Sequence, residues 1–538
     1  MPNRRQFLGS LASAALAQPT QKPNIIVILA DDMGYSDIGC FGGEVRTPNL
    51  DRLAKGGVRF TQFYNTARCC PTRASLLTGL YPHQAGVGHM VDNPRPFPGY
   101  QGDLAPSSVT IAEALKASGY RTYMAGKWHV TPVTKSKHNW PRQRGFDRYY
   151  GIIHGAASFY DPVTLVRENE FAPPEGDGFY FTDALGAQSE QYIREHTGAE
   201  PFFLYTAFTS PHWPMHALEA DIARYQGRYR EGWDALRAER HKRMVKLGLV
   251  DSRWPLTPRD EAVPAWTDVP HKPWQQRRME VYAAMIDRMD QNIGRMLRAL
   301  EERKMLDNTL IFFLSDNGGC AEDLGPKAAA RHIPLRARDG REVKQGNRPE
   351  LMPGGPDTYQ SYGVGWANAS NTPFRLYKHW VHEGGISTPL IAHWPSRLRQ
   401  PGTLNSEPGH LIDLMATCLD AAGARYPSER QGVKVTPLEG RSLLPCIEGR
   451  QRKPHEEIFW EHEGNRAVRE GRWKLVSKFP GEWELFDLKA DRTELHNLAA
   501  SQPKVAARLA ARYGAWARRA QVVPWADVQK SARLPLEG

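Results

Sequence analysis

Continuous apolar runs, each followed by polar residues, are the most regular pattern along the chain. Residues 25–30, 202–207 and 310–314 are short and β-prone, as expected of strands buried on both faces of a parallel sheet. Before the last run, apolar residues recur with helical spacing from Tyr282 to Leu300, which predicts a helix whose methionines pack into the core. Strands that alternate with helices predict an α/β fold.

Shorter elements are predicted between these runs. Thr110 and Glu113 form a capping box for a helix that extends to Ala117. Residues 47–57 have the start and stop signals of a second short helix, with Thr47 as its cap. Further strands are predicted at 58–64, 121–125 and 388–393.

The pattern changes after about residue 450, where short strands follow one another. They are predicted at 457–461, 466–469, 473–477 and 483–487, before a helix at 503–519. This arrangement is typical of an antiparallel sheet with one helix, so we expect a smaller α+β subdomain over residues 451–538.

Two long stretches, 213–275 and 321–372, lack sustained periodicity and are rich in Pro, Gly, Arg and Trp. This composition predicts surface insertions in the preceding domain. Long loops on a rigid sheet often shape a binding mouth, but decoration without substrate contact is an equal alternative.

Polar side chains follow four of the predicted strands where each strand ends. They are Asp31 and Asp32, Lys127 and His129, His212, and Asp316 and Asn317. Ligands of open α/β sheets gather beyond the carboxyl ends of the strands, and adjacent carboxylates repel unless a cation neutralises them. Solvated loop acids are the alternative for Asp31 and Asp32. If Asp31, Asp32, Asp316 and Asn317 bind a metal, their oxygen atoms suit Ca²⁺ or Mg²⁺. Ca²⁺ is favoured because it tolerates an irregular arrangement of ligands.

Residues 68–79 predict one short helix with a thiol at its start. Pro71 suits the first helical position and Gly79 suits the residue after the last. Cys69 then lies at a helix N-terminus, which favours a bound anion, and Arg73 adds a guanidinium one turn later. From these residues alone, a buried or disulfide-bonded Cys69–Cys70 pair is also possible.

Composition narrows the possible partners. The 538 residues are 41% hydrophobic, enough for a large core, and carry a net charge of +11. The basic residues are spread along the chain, and no zinc spacing or RNA-binding motif occurs, so we expect anionic small ligands and no nucleic acid. Six cysteines are too few and too scattered for a disulfide scaffold.

The first residues have the pattern of an export signal. Arg4 and Arg5 precede a short apolar run, and residues 15–17 offer a small-x-small cleavage site. We therefore expect a twin-arginine signal over residues 1–17 and a periplasmic or secreted protein, with an uncleaved amphipathic start as the alternative. No later run reaches the roughly 18 apolar residues of a membrane span, so no stable membrane insertion is expected.

The helix at 68–79 also carries a family signature. Cys69, Pro71 and Arg73, closed by Leu77-Thr78-Gly79, resemble the Cys-x-Pro-x-Arg pattern of the formylglycine-dependent sulfatases. That family also has a lysine five residues before Glu-Gly-Gly, where Lys378 stands here. The resemblance is strongest over 23–130 and 305–395, and residues 378–395 are most similar to bacterial arylsulfatases.

The resemblance implies a fold and a site. The fold is that of the alkaline-phosphatase-like superfamily, a large mixed, mostly parallel sheet flanked by helices, here over residues 18–450. Cys69 would be oxidised by a formylglycine-generating or equivalent maturation enzyme to 3-oxoalanine, whose hydrate joins the metal ligands. The implied metal ligands are Asp31, Asp32, Asp316, Asn317 and residue 69, with one divalent cation.

The resemblance also implies a reaction on a small-molecule or sugar sulfate ester. One hydroxyl of the hydrated residue 69 attacks sulfur, and the alcohol or phenol leaves. Arg73, Lys127 and Lys378 would neutralise the sulfuryl oxygens, while His212 or Lys378 protonates the leaving group. His129 would then deprotonate the second hydroxyl, so that sulfate is eliminated from the sulfated enzyme.

Two other functions are compatible with the same fold. One is phosphate or phosphonate ester hydrolysis, and the other is a non-catalytic anion-binding or glycan-binding protein with an unconverted Cys69. The intact signature favours a sulfatase over both, with aryl sulfates as the favoured substrates. The histidines His216, His379 and His382 are not expected to contact substrate.

Overall fold

An eleven-stranded sheet forms the centre of the computed structural model, which describes residues 21–134, 136–326 and 332–536. Its strands lie in the order Thr403–Asn405, Val58–Tyr64, Ser387–His393, Thr309–Ser315, Asn24–Ala30, Phe202–Ala207, Arg121–Lys127, Arg148–Ile152, Leu165–Arg167 and Glu170–Phe171, and Gly409–His410 pairs with Val58–Tyr64. The five strands from Thr309–Ser315 to Arg148–Ile152 run parallel. Ser387–His393 is antiparallel to both of its neighbours. The predicted mixed, mostly parallel sheet is therefore confirmed.

Helices cover both faces of this sheet, which explains why its central strands are mostly apolar. Along Asn24–Ala30, Ile26 and Ile28 pack into one hydrophobic cluster, whereas Ile25, Val27 and Leu29 pack into another on the opposite face. The helices of the described chain are Pro48–Lys55, Cys69–Thr78, Ile111–Lys116, Phe181–Glu195, Glu219–Ile222, Gly232–Lys246, Lys272–Glu302, Gly363–Ser370, Glu383–Ile386, Ile412–Ala422, Leu444–Ile447, Pro503–Arg519 and Trp525–Lys530. None of them combines the length and apolar composition that crossing a bilayer requires.

The C-terminal part contains the predicted antiparallel sheet and helix. Its strands are Ile458–His462, Asn465–Glu470, Trp473–Ser477 and Glu484–Asp487, paired in chain order. The helix Pro503–Arg519 packs on this sheet, with the rings of Trp516 and Phe459 stacked at 5.0 Å. The described chain also contains two small two-stranded sheets. They pair Lys344–Gln345 with Thr358–Tyr359, and Glu429–Arg430 with Val433–Lys434.

The segment 213–275 is more regular and more deeply packed than predicted. It contains the fifteen-residue helix Gly232–Lys246, which buries Trp233 and Arg240. Arg240 Nη1 lies 2.6 Å from Asp37 Oδ1, and its Nη2 lies 2.8 Å from Glu44 Oε1. Because a charged residue occupies a buried position, the helix shows no clean apolar face in the sequence. Gly232–Lys246 is therefore a packed helix within the stretch predicted to be a surface insertion.

The segment 321–372 is likewise anchored in the core. Its helix Gly363–Ser370 places Trp366 at 0% exposure against Trp233.

Two details of local structure also differ from prediction. Thr47 is the N-cap residue of the following helix as predicted, but its hydroxyl accepts the Gly39 N–H and makes no capping hydrogen bond. Pro71 occupies the third helical position, since the helix begins at Cys69 with Arg68 as its cap residue. The capping box at Thr110 and Glu113 is confirmed. The predicted signal segment, residues 1–17, lies outside the described residues.

A buried ion cluster joins the two parts of the chain. Glu383 accepts from Lys474 Nζ at 2.9 Å and from Arg492 Nε at 3.0 Å, and all three side chains are at most 1% exposed. Burial opposes ionisation of Glu383, but Lys474 and Arg492 outweigh it and lower the pKa from 4.5 to about 2. A carboxyl whose pKa is lowered by folding stabilises the fold above its unfolded pKa and loses this contribution as pH falls.

We therefore expect the free energy of unfolding to lose about 3 kcal/mol through Glu383 between pH 4.5 and pH 2. Urea unfolding at stepped pH, compared between the wild type and Glu383→Gln, measures this contribution as the difference in slope. The exposed Glu170, changed to Gln, serves as the control and should follow the wild-type curve. Parallel curves for wild type and Glu383→Gln would contradict the assignment.

Candidate active site

Four neighbouring parallel strands bring the predicted polar residues to one edge of the sheet. Thr309–Ser315, Asn24–Ala30, Phe202–Ala207 and Arg121–Lys127 are adjacent in that order. Their carboxyl ends therefore place Asp316 and Asn317, Asp31 and Asp32, His212, and Lys127 and His129 side by side. All of these side chains are buried.

The oxygen donors form one compact cluster. The Asp32 N–H donates to Asp316 Oδ1 at 3.1 Å, and Asn317 Nδ2 donates to Asp32 Oδ1 at 2.6 Å. Asp31 Oδ1 and Asn317 Oδ1 are buried, yet neither has a hydrogen-bond partner among the described residues. Buried oxygens without partners are costly unless a cation binds them. The donor set therefore fits a divalent cation.

Three cations surround the carboxylates. Arg73 donates twice to Asp316 Oδ2, at 3.1 and 2.8 Å. Lys127 Nζ lies 2.7 Å from Asp31 Oδ2, and Lys378 Nζ lies 2.9 Å from Asp32 Oδ1. A bound metal would thus give the site an excess of positive charge, which an anionic substrate balances.

The aspartates respond differently to this environment. Burial, followed by the neighbouring Asp316, raises the pKa of Asp31 well above its usual value. The pKa of Asp32 lies below its usual value. Burial opposes ionisation of this carboxyl, but the neighbouring His212 and Lys378 outweigh the effect of burial. A cation at the free oxygen of Asp31 would favour the charged form there as well.

The helix Cys69–Thr78 points its N-terminus at the same edge. Arg68 is the cap residue with extended backbone, and Gly79 ends the helix in the left-handed conformation at φ 68°. A side chain other than glycine is disfavoured there. Cys69 is 2% exposed and lines a cavity of about 120 Å³ together with His129, His212 and Lys378. The predicted nucleophile position therefore faces the same cavity as the two predicted histidines and Lys378.

The two predicted histidines adopt different roles in this geometry. His129 Nε2 lies 3.2 Å from Cys70 Sγ, and burial lowers the pKa of His129 below 6.5. His212 Nδ1 donates to the Trp213 carbonyl at 2.7 Å, and its Nε2 lies 3.4 Å from Asp32 Oδ2. Burial lowers the pKa of His212 to about 3. Both imidazoles are neutral at pH 7, so His129 is available as a base.

The three histidines not expected to contact substrate lie outside the cavity lining. His216 Nε2 contacts the Thr358 carbonyl at 2.6 Å, and His382 Nε2 contacts Glu484 at 2.9 Å. His379 Nδ1 lies 3.3 Å from Glu463.

Sequence reasoning missed one wall of the cavity. Arg68 Nη1 lies 2.8 Å from Glu322 Oε1, and Trp213 Nε1 donates to Glu322 Oε2 at 2.9 Å. Met90 and His332 also line the cavity. The sequence does carry a signal for Glu322, which is an acidic residue seven positions after the Thr309–Ser315 strand.

Sequence reasoning also missed a side chain that supports the predicted metal ligands. The Tyr282 hydroxyl lies 3.0 Å from the Asp32 carbonyl and 2.8 Å from Asp37 Oδ2. Tyr282 lies on a core-facing helix, so nothing in its local pattern distinguishes it from a packing residue.

A parallel-sheet edge with hard oxygen donors, three buried cations and a helix N-terminus defines a metal-dependent hydrolase of anionic esters. Residues 23–424 match the sulfatase family, and residues 374–513 match the C-terminal region of N-sulphoglucosamine sulphohydrolase. The chain belongs to the sulfatase family and is a sulfuric ester hydrolase. Members of this family depend on formylglycine and a divalent metal.

Relatives and solved structures agree with this membership. An uncharacterized sulfatase of Schizosaccharomyces pombe is 34% identical over 90% of this chain and 92% of its own length. The arylsulfatase of Klebsiella aerogenes is 33% identical over 83% of this chain and 97% of its own length. The crystal structure of Ps i-CgsB is 25% identical with a TM-score of 0.65, covering 92% of this chain and 93% of that one.

Proposed function

We propose that this chain hydrolyses sulfate monoesters, with aryl sulfates favoured, through a formylglycine hydrate at residue 69. The observation that carries the proposal is the position of Cys69 at a helix N-terminus, in the same cavity as His129, His212 and Lys378. A diol at this position would have a base and an acid within one small enclosure. Conversion would require a maturation enzyme of the formylglycine-generating type.

The side chains around residue 69 have separable tasks. Arg73 pairs with Asp316 and Lys127 pairs with Asp31, so both cations lie at the carboxylate cluster. There they would hold the sulfuryl oxygens as negative charge develops. Of the two predicted acids, Lys378 would protonate the leaving oxygen, because neutral His212 holds its ring proton at Nδ1, against the Trp213 carbonyl. His129, neutral at pH 7, would remove the proton from the second hydroxyl and thereby expel sulfate.

We infer that Asp31, Asp32, Asp316 and Asn317 hold one Ca²⁺, with residue 69 as a further ligand after conversion. The partnerless oxygens of Asp31 and Asn317 support this assignment. Calcium is preferred over magnesium because the cluster supplies carboxylate and amide oxygens from a crowded, irregular arrangement. When bound, the cation acts as a Lewis acid and a template for the sulfate group.

The aryl preference rests on the cavity and on one relative. Trp213 and Met90 give the cavity apolar surface beside the ionisable groups, which suits a flat ring. The similar Klebsiella aerogenes protein is an arylsulfatase. Sulfated sugars are the alternative, since Ps i-CgsB was solved in complex with a neocarrahexaose.

Matched esters test the reaction class. We expect kcat/KM for an aryl sulfate to exceed that for the corresponding aryl phosphate and phosphonate by at least about tenfold, because this ratio reports relative transition-state stabilisation. Steady-state kinetics on the three esters with the converted, calcium-loaded protein measures it. A preference for either phosphorus ester would overturn the sulfatase assignment at this site. Activity on sulfated sugars without activity on aryl sulfate would instead reject the aryl preference.

We further propose export by the twin-arginine route, motivated by Arg4 and Arg5 before an apolar run. This route carries folded proteins, so residue 69 could be converted before export. Replacing both arginines with lysine should retain the protein in the cytoplasm, as measured by fractionation and immunoblotting. Lysine in place of Arg46 is the matched control, and unchanged export of the Arg4/Arg5 variant would point to another route.

A further inference from the structure

A second group of potential metal ligands lies beside the oxygen donors. Cys69, Cys70 and His129 are buried, and each offers one ligand atom within 4.8 Å of the other two. Cys70 Sγ lies 3.2 Å from His129 Nε2. Two thiols and an imidazole are softer ligands than the carboxylates at Asp31 and Asp316, so they select a different class of metal.

The spacing of these atoms fits a tetrahedral ion. With Zn–S of about 2.3 Å and Zn–N of about 2.0 Å, tetrahedral geometry requires sulfur atoms about 3.8 Å apart and sulfur–nitrogen distances of about 3.5 Å. The three ligand atoms lie within 4.8 Å of one another, a limit that is compatible with both distances. The 3.2 Å between Cys70 Sγ and His129 Nε2 is a few tenths of an ångström shorter than the sulfur–nitrogen distance of a zinc site.

Access and charge are also favourable. Cys69 and His129 line the cavity of about 120 Å³, so an ion can enter and a water molecule can occupy the fourth position. Both cysteines lie in the first turn of the helix Cys69–Thr78, whose N-terminus favours negative charge. Burial raises the pKa of the Cys70 thiol well above its usual value, so the metal has to displace that proton.

We propose that the chain whose residue 69 is still cysteine binds one Zn²⁺ through Cys69, Cys70 and His129. The ion replaces the thiol protons, which pass to solvent. Oxidation of Cys69 to the aldehyde removes one of the two sulfur ligands, so the converted chain lacks this site. Maturation would thus create the nucleophile and also abolish a competing soft-metal site. The inference concerns the state before conversion and does not require that the proposed hydrolysis occurs.

The test uses the full chain in two forms, unconverted and converted at residue 69, each verified by mass spectrometry and saturated with Ca²⁺. Titration with Co²⁺ followed by Zn²⁺ reports the ligands, because thiolate ligands give sulfur-to-cobalt charge-transfer absorption. We expect one Co²⁺ per unconverted chain with this absorption, displaced by one Zn²⁺, and proton release on binding. The converted chain should bind Zn²⁺ at least tenfold more weakly and show reduced sulfur absorption.

Cys70→Ser is the deciding variant and should weaken Zn²⁺ binding to the unconverted chain at least tenfold. Cys40→Ser removes a half-buried thiol outside the group and is expected to leave binding unchanged. Thermal unfolding without Zn²⁺ checks that both variants fold. Absence of sulfur absorption, equal affinity in Cys70→Ser, or equal affinity in the converted chain would each overturn the inference. Failure of the proposed function appears separately, as a converted chain inactive on sulfate esters.

Discussion

Replacing Cys69 with alanine is expected to lower kcat/KM for an aryl sulfate by at least about 10³-fold, because the variant has no nucleophile for the covalent step. The loss should appear in kcat, since the oxygen donors and Arg73, Lys127 and Lys378 that would bind the sulfate group remain. Cys69 is the first residue of its helix, and alanine is compatible with that backbone, so the fold should persist. Steady-state kinetics with equal calcium loading measures the effect.

Two controls make this result specific to conversion of Cys69. Cys70→Ala removes the adjacent buried thiol and should retain much more activity than Cys69→Ala. Peptide mass spectrometry of the active wild type should show the aldehyde or its hydrate at residue 69. A fully active protein with only free thiol at residue 69 would falsify the formylglycine mechanism while leaving the family membership intact.

Changing Asp316 to Asn should remove both the metal and most of the activity. Asp316 accepts from Arg73 and from the Asp32 N–H, so its charge positions one cation and the loop that carries Asp32, a proposed metal ligand. The amide keeps the shape of the side chain but loses the negative charge that attracts a divalent ion. Arg73 Nη2 still lies 3.6 Å from Asp31, which limits the cost of the unpaired guanidinium. We expect a loss of about 10²-fold to 10³-fold in kcat.

The metal content of Asp316→Asn distinguishes a role of Asp316 in metal binding from a purely structural role. Elemental analysis after dialysis should find one Ca²⁺ per wild-type chain and much less than one in Asp316→Asn. Asp339→Asn alters an exposed carboxylate paired with Arg341 and should change neither value. Activity of Asp316→Asn should rise at high Ca²⁺ if the defect is affinity. Stoichiometric Ca²⁺ in the variant at ordinary concentrations would show that the metal ligands are misassigned.

Much of the site's composition follows from local sequence. Apolar runs that end abruptly in polar residues predicted the strands and placed Asp31, Asp32, Asp316 and Asn317 at their ends. This works because a parallel strand buried on both faces contains few polar residues until it leaves the sheet. The helix Cys69–Thr78 and the capping box at Thr110 were predictable for the same kind of reason, since start and stop signals act within one turn.

The sequence by itself therefore determined which residues end each strand and which helix carries the thiol. Only the tertiary structure decided which strand ends are neighbours, because strand order depends on packing between segments far apart in the chain. The Lys378–Asp32 ion pair spans 346 residues, and Glu322 reaches Arg68 from a segment without periodicity. The helix Gly232–Lys246 could not be predicted from its own residues, because one of its buried positions is occupied by Arg240. Asp37 and Glu44 compensate the buried charge, and no local pattern shows that they are its partners.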